Sequence, residues 1–76
     1  MLTLGRNILI VRKEKKMSQQ DVANKCRVDR ARIGKIENGK IAVELMTIVE
    51  IATALGVDVR ILIPPQLIPP VQKGKI

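Results

Sequence analysis

The chain has 76 residues, enough for one hydrophobic core but not for a separate ligand-sensing or catalytic domain beside it. One cysteine, Cys26, rules out an intramolecular disulfide, and without histidine a zinc cluster lacks its ligand set, so neither metal nor cofactor is expected. The formal net charge of +7 lies entirely in residues 1–40, where eleven Lys/Arg face four acids, whereas residues 41–76 carry three of each; such asymmetry points to a polyanion on one face, nucleic acid first and an anionic membrane surface second.

Five short helices are predicted in chain order, and no strand. Thr3 caps a first helix running to about Lys15, with Leu4, Ile8 and Val11 at helical spacing on one face. Ser18 and Asp21 form a capping box that opens a second helix through about Cys26, burying Val22, Ala23 and Cys26. Cys26 reads as a small apolar packing residue rather than a reactive thiol. Asp29 caps a third helix to Asn38, closed by Gly39. A fourth helix covers roughly Glu44 to Leu55 and stops at Gly56, with Leu45, Ile48, Val49, Ala52 and Leu55 as its apolar stripe. Asp58 caps the last helix, which Pro64 and Pro65 end, because proline neither donates a backbone bond nor allows its predecessor a helical conformation. The chain thus divides into residues 1–63, a compact all-α five-helix domain, and residues 64–76, an extended arm containing Pro69 and Pro70.

The longest apolar runs, Ile8-Leu9-Ile10-Val11 and Ile61-Leu62-Ile63, are far too short to span a bilayer. The N-terminus has no signal-peptide layout, so a cytoplasmic protein is expected.

The informative stretch is residues 18–40, two short capped helices separated by a three-residue connection. That spacing is the helix-turn-helix arrangement, whose second helix enters the major groove of duplex DNA. On a wheel of about 100° per residue, Arg30, Ala31, Gly34, Lys35 and Asn38 share an arc of about 140°, while Ile33 and Ile36 fall on the other side. The first arc combines donors that reach base acceptors and phosphates with small residues that permit close approach.

The sequence here resembles the lambda repressor/Cro-like family of regulators, often called the XRE family. The resemblance covers about residues 4–63. It rests on Leu4-Gly5 and Arg12, on Met17-Ser18-Gln19 and Val22-Ala23, and on Val28-Asp29-Arg30 leading to Ile33, Ile36 and Glu37-Asn38-Gly39-Lys40. Ile51-Ala52, Ala54-Leu55-Gly56-Val57, Val59 and Leu62 extend it. The resemblance implies that Arg30, Ala31, Gly34 and Lys35 occupy base-reading positions. It also implies that Gln19, Asn38 and Lys40 contact the DNA backbone, and that Arg12 and Glu37 form a partly buried ion pair joining the first and third helices.

Four residues depart from the family pattern. Arg27 stands where a turn glycine is usual, and a left-handed residue there costs roughly 1 kcal/mol. Val43 replaces a proline, which leaves the fourth helix without an obvious cap. Leu9 and Ile10 fall outside the first apolar stripe, where polar residues are usual.

The function expected is therefore sequence-specific binding of double-stranded DNA at a pseudo-palindromic operator, as a dimeric transcriptional regulator of repressor type. Leu9, Ile10, Ile61, Ile63, Leu67, Ile68 and Val71 lie outside the clearest core stripes and suggest a homodimer interface. An alternative of another class is an antitoxin or protein-interaction module whose arm, with Leu67-Ile68-Pro69-Pro70-Val71, grips a partner protein. An enzyme is not expected, since no nucleophile–base pair is recognisable and the carboxylates are scattered over caps and ion-pair positions.

Overall fold

The computed structural model describes residues 2–64, and within them the fold is all-helical. The order is α1 (Leu2–Glu14), α2 (Gln19–Asn24), α3 (Arg30–Glu37), α4 (Leu45–Leu55) and α5 (Val59–Leu62). The arm expected at residues 64–76 lies outside the described residues from residue 65 onward; Pro64 itself is fully buried.

Local sequence explains most of the element ends. Ser18 Oγ accepts from the Asp21 N–H at 2.9 Å while Asp21 accepts from the Ser18 N–H at 2.8 Å, a complete capping box. Asp29 caps α3 through the Arg32 N–H at 2.8 Å, and Asp58 caps α5 through the Arg60 N–H at 2.8 Å. Glu44 precedes α4 without any side-chain cap, as the missing proline implied.

Other expectations need correction. Thr3 is not the cap of α1, because the helix already includes Leu2 and Thr3. The second helix stops at Asn24, where the N–H groups of Lys25 and Cys26 bond to Val22 O and Ala23 O, tightening the last turn; Ala23 and Cys26 are only half-buried. Arg27 does not take a left-handed conformation, and its N–H instead donates to Glu50 Oε1 at 3.3 Å. The strained position lies elsewhere: Lys16, after α1, has φ 58°.

The core is built from Leu4, Ile8 and Val11 of α1, Val22 of α2, Val28 in the turn, and Ile33 and Ile36 of α3. Ile48, Ile51, Ala52, Ala54 and Leu55 of α4 and Leu62 of α5 complete it. Because α4 packs on both α2 and α5, its buried arc widens to Ile51 and Ala54 and turns away from Leu45, which is 61% exposed rather than part of the stripe. Ile63 and Leu9 are half-buried, with Ile63 packed against the core. Ile10 and Ile61 remain exposed, together with Leu45 and Met46.

Two contacts set how α1 sits on the rest. Asn7 Nδ2 donates to Leu62 O at 2.8 Å and ties α1 to α5. At Gly5, α1 meets the end of α3 so closely that a β-carbon would lie 2.2 Å from Ile36 O and 2.7 Å from Glu37 O. No real atom pair tolerates that approach, so only glycine lets the two helix backbones meet there.

Candidate nucleic-acid interface

The site is organised around one buried ion pair. Arg12 Nε donates to Glu37 Oε2 at 2.6 Å, and Arg12 Nη2 donates to Glu37 Oε1 at 3.0 Å. The side chains are 10% and 3% exposed. Arg12 Nη1 also donates to Met17 O at 2.9 Å, so one guanidinium holds α1, the α1–α2 turn and α3 together. Hydrogen bonding to Glu37 holds the Arg12 pKa above its ordinary value, against the opposing effect of burial. No described buried side-chain nitrogen or oxygen lacks a partner, which is what allows charges to persist there.

Gln19 joins this hub, with its Nε2 donating to Glu37 Oε1 at 3.0 Å. A carboxylate only accepts, so it dictates which end of the Gln19 carboxamide faces it. The carboxamide lies against Gly34, its nitrogen and oxygen each 3.6 Å from where a β-carbon would be. Gln19 is thus held on the surface of α3 with one N–H and its oxygen still free.

The remaining sequence-predicted residues spread around this point. Arg30, Ala31 and Lys35 are exposed on α3, whereas Gly34 is half-covered beneath Gln19. Asn38 and Lys40 are exposed beyond the end of α3. Among the described residues, Arg30, Lys35 and Lys40 take part in no ion pair, so their charges are available to a partner. Ile33 and Ile36, on the opposite side of α3, are fully buried and fix which face is presented.

Arg12, Gln19, Gly34 and Glu37 are therefore brought together, while Asn38 and Lys40 approach the hub only through the backbone that follows Glu37. Sequence reading missed the Gln19–Glu37 bond, the Arg12–Met17 bond and the Asn7–Leu62 tie. All join residues whose spacing carries no periodic signal. Among the described residues, no group of three or more His, Cys, Asp or Glu side chains could hold a metal ion, and no helix is long and apolar enough to cross a membrane.

Two short capped helices, the second anchored by its isoleucines and presenting cations outward, define a helix-turn-helix DNA-binding module. The family model described as helix-turn-helix matches residues 8–62, and the chain belongs to that family, in its lambda repressor/Cro-like branch of transcriptional regulators. The immunity repressor protein of Bacillus phage phi105 is 34% identical over 58 residues, 76% of this chain. The chain spans 40% of that repressor's length. Among solved structures, the restriction-modification controller protein C.AhdI from Aeromonas hydrophila superposes with a TM-score of 0.79 at 32% identity, over 82% of this chain and 94% of its own. A hypothetical transcription factor, NHTF, from Neisseria gives 0.75 at 33% identity, over 86% and 76% of the two chains. The chain accordingly carries a DNA-binding domain of the helix-turn-helix type found in transcriptional regulators.

Proposed function

We propose that this regulator represses transcription by binding a pseudo-palindromic operator as a homodimer, reading base edges with α3. The observation that carries the reading is the outward arc of α3, where Arg30, Ala31 and Lys35 stand exposed above a fully buried Ile33 and Ile36. Arg30 and Lys35 supply donors to base acceptors in the major groove, Ala31 lets the helix lie close to the base edges, and Gly34 makes room for Gln19 beside them. Gln19, Asn38 and Lys40 flank this arc and bind phosphate, fixing register without carrying sequence information.

The similarity to a phage immunity repressor supports the repressor role. Dimerisation follows from genome-scale specificity, since one such module covers too few base pairs and two half-sites are needed. Ile10 and Ile61 are the favoured interface. Ile10 of α1 and Ile61 of α5 are both exposed, and the Asn7–Leu62 bond ties those two helices to each other. A two-fold axis there would leave both α3 helices free, spaced about 34 Å apart in successive major grooves. The protein would work in the compartment that holds the chromosome.

The test is a salt titration of binding to duplex DNA carrying a selected site, read by fluorescence anisotropy. The expected slope of log K against log salt is steep, with about 0.9 lost for each phosphate contact. An affinity unchanged between roughly 50 and 200 mM salt would refute the reading.

A further inference from the structure

Helices α1, α3 and α4 end in the same way. In each, two N–H groups double back onto the last turn: Lys16 to Lys13 O and Met17 to Arg12 O, Gly39 to Ile36 O and Lys40 to Lys35 O, Gly56 to Thr53 O and Val57 to Ala52 O. The pivot residue must take a positive φ. In α3 and α4 it is a glycine, at 70° and 73°, whereas in α1 it is Lys16 at 58°. A β-carbon in this conformation disfavours the folded state by about fivefold in the folding equilibrium. The turn needs the positive φ but not the side chain, because Lys16 is exposed and takes part in no ion pair among the described residues. A strained residue whose side chain serves no structural contact is a candidate for a functional one.

The position of the turn indicates what that function is. Arg12 Nη1 holds Met17 O, the rest of its guanidinium holds Glu37, and Glu37 holds Gln19. Met17, Gln19 and Glu37 therefore converge on one point, with Lys16 preceding the first and Asn38 following the last. Exposed Lys13 and Lys15 continue the positive charge on the same side of the turn's sequence. We propose that Lys16 is a further phosphate-binding residue, its ammonium pairing with the DNA backbone beside Gln19 and carrying the contact edge from α3 across to α1. The proposal rests on the DNA-reading role proposed above and adds a contact that the α2–α3 motif does not contain.

Lys16→Gly and Lys16→Arg, compared with the wild-type chain on one selected duplex, test it. Glycine relieves the strain and removes the charge, so Tm should rise by about 4–8 °C. The same variant should bind more weakly to specific and non-specific duplex alike. The slope of log K against log salt should fall by about 0.9, a contribution of about eightfold at 0.1 M relative to 1 M salt. Lys16→Arg, which keeps charge and strain, should bind within about twofold of wild type. A Lys16→Gly protein that is more stable but binds with unchanged affinity and slope would overturn the proposal. So would a Tm that falls, because the strain would then be absent. If the wild-type chain itself does not bind duplex DNA, the DNA-reading role fails first and this contact with it.

Discussion

The approach of α1 to α3 predicts opposite outcomes for the same substitution at two glycines. At Gly5, an added β-carbon would stand 2.2 Å from Ile36 O and 2.7 Å from Glu37 O, both backbone atoms that have no rotamer by which to retreat. Restoring contact distance requires α1 to move by roughly 1 Å or more relative to α3. The shift strikes the ion pair as well, since Arg12 lies on the same helix and Glu37 is the residue being pushed. Overpacking of this kind costs about 1–3 kcal/mol, and loosening a buried pair adds to it. Against this stands a gain of about 1 kcal/mol from replacing a helical glycine. The expected net loss for Gly5→Ala is about 2–4 kcal/mol, or roughly 10–25 °C in Tm for a domain of this size. At Gly34 the same β-carbon meets only the Gln19 carboxamide at 3.6 Å, an ordinary contact. Gly34→Ala should therefore stabilise by about 0.5–1 kcal/mol. Paired thermal and urea denaturation would measure both. A Gly5→Ala variant as stable as wild type would refute the packing of α1 on the end of α3.

Other expectations follow from the charged groups and the exposed apolar edge. Glu37→Ala leaves Arg12 buried without its partner and should cost about 3–5 kcal/mol, much of it recovered by adding Arg12→Met; a denaturant double-mutant cycle measures the coupling. The Asp21 carboxyl lies below the ordinary carboxylate range because it accepts from the Ser18 N–H and then from the Ser18 hydroxyl, and Asp58 is lowered by the Arg60 guanidinium and then by the Arg60 N–H. Depressed folded-state values mean that both contributions are fully present above the unfolded pKa near about 4 and vanish as pH falls through the folded values. Tm should accordingly decline in that acid range, and less steeply in Asp21→Asn or Asp58→Asn. Because association depends on protein concentration, sedimentation equilibrium at roughly tens of micromolar should find a dimer that Ile10→Glu or Ile61→Glu dissociates; an unchanged dimer in both variants would move the interface elsewhere.

Element identity was legible because it depends on local chemistry. Ser18 with Asp21, Asp29 and Asp58 each announce a helix start by side-chain bonding to nearby N–H groups, and Gly39 and Gly56 announce the ends. The outward arc of α3 was legible for the same reason, since Ile33 and Ile36 mark its inner side. Tertiary effects were not. Leu45 fits the periodic stripe of α4 yet is exposed, because partners on two sides, α2 and α5, decide which arc is buried. The left-handed residue sits at Lys16 and not at Arg27, a difference that depends on how the chain leaves α1 and on Arg12 holding Met17 O. Gln19 could be assigned as a polar residue facing DNA, but its bond to Glu37 and its position over Gly34 exist only once α2 and α3 are packed together.

The central claim, that α3 reads base sequence while its flanks grip phosphate, is tested most directly by selecting bound duplexes from a random pool. The selection would use the wild-type chain, Lys35→Ala and Lys40→Ala at a fixed salt concentration. The wild type should enrich a two-fold symmetric motif with half-sites about one helical turn apart. Lys35→Ala should lose about 1–3 kcal/mol of discrimination at matching positions in both half-sites, and Lys40→Ala should keep the motif while weakening binding to every sequence. A wild-type chain that enriches no motif, or a Lys35→Ala chain that enriches the same motif with equal stringency, would contradict the account.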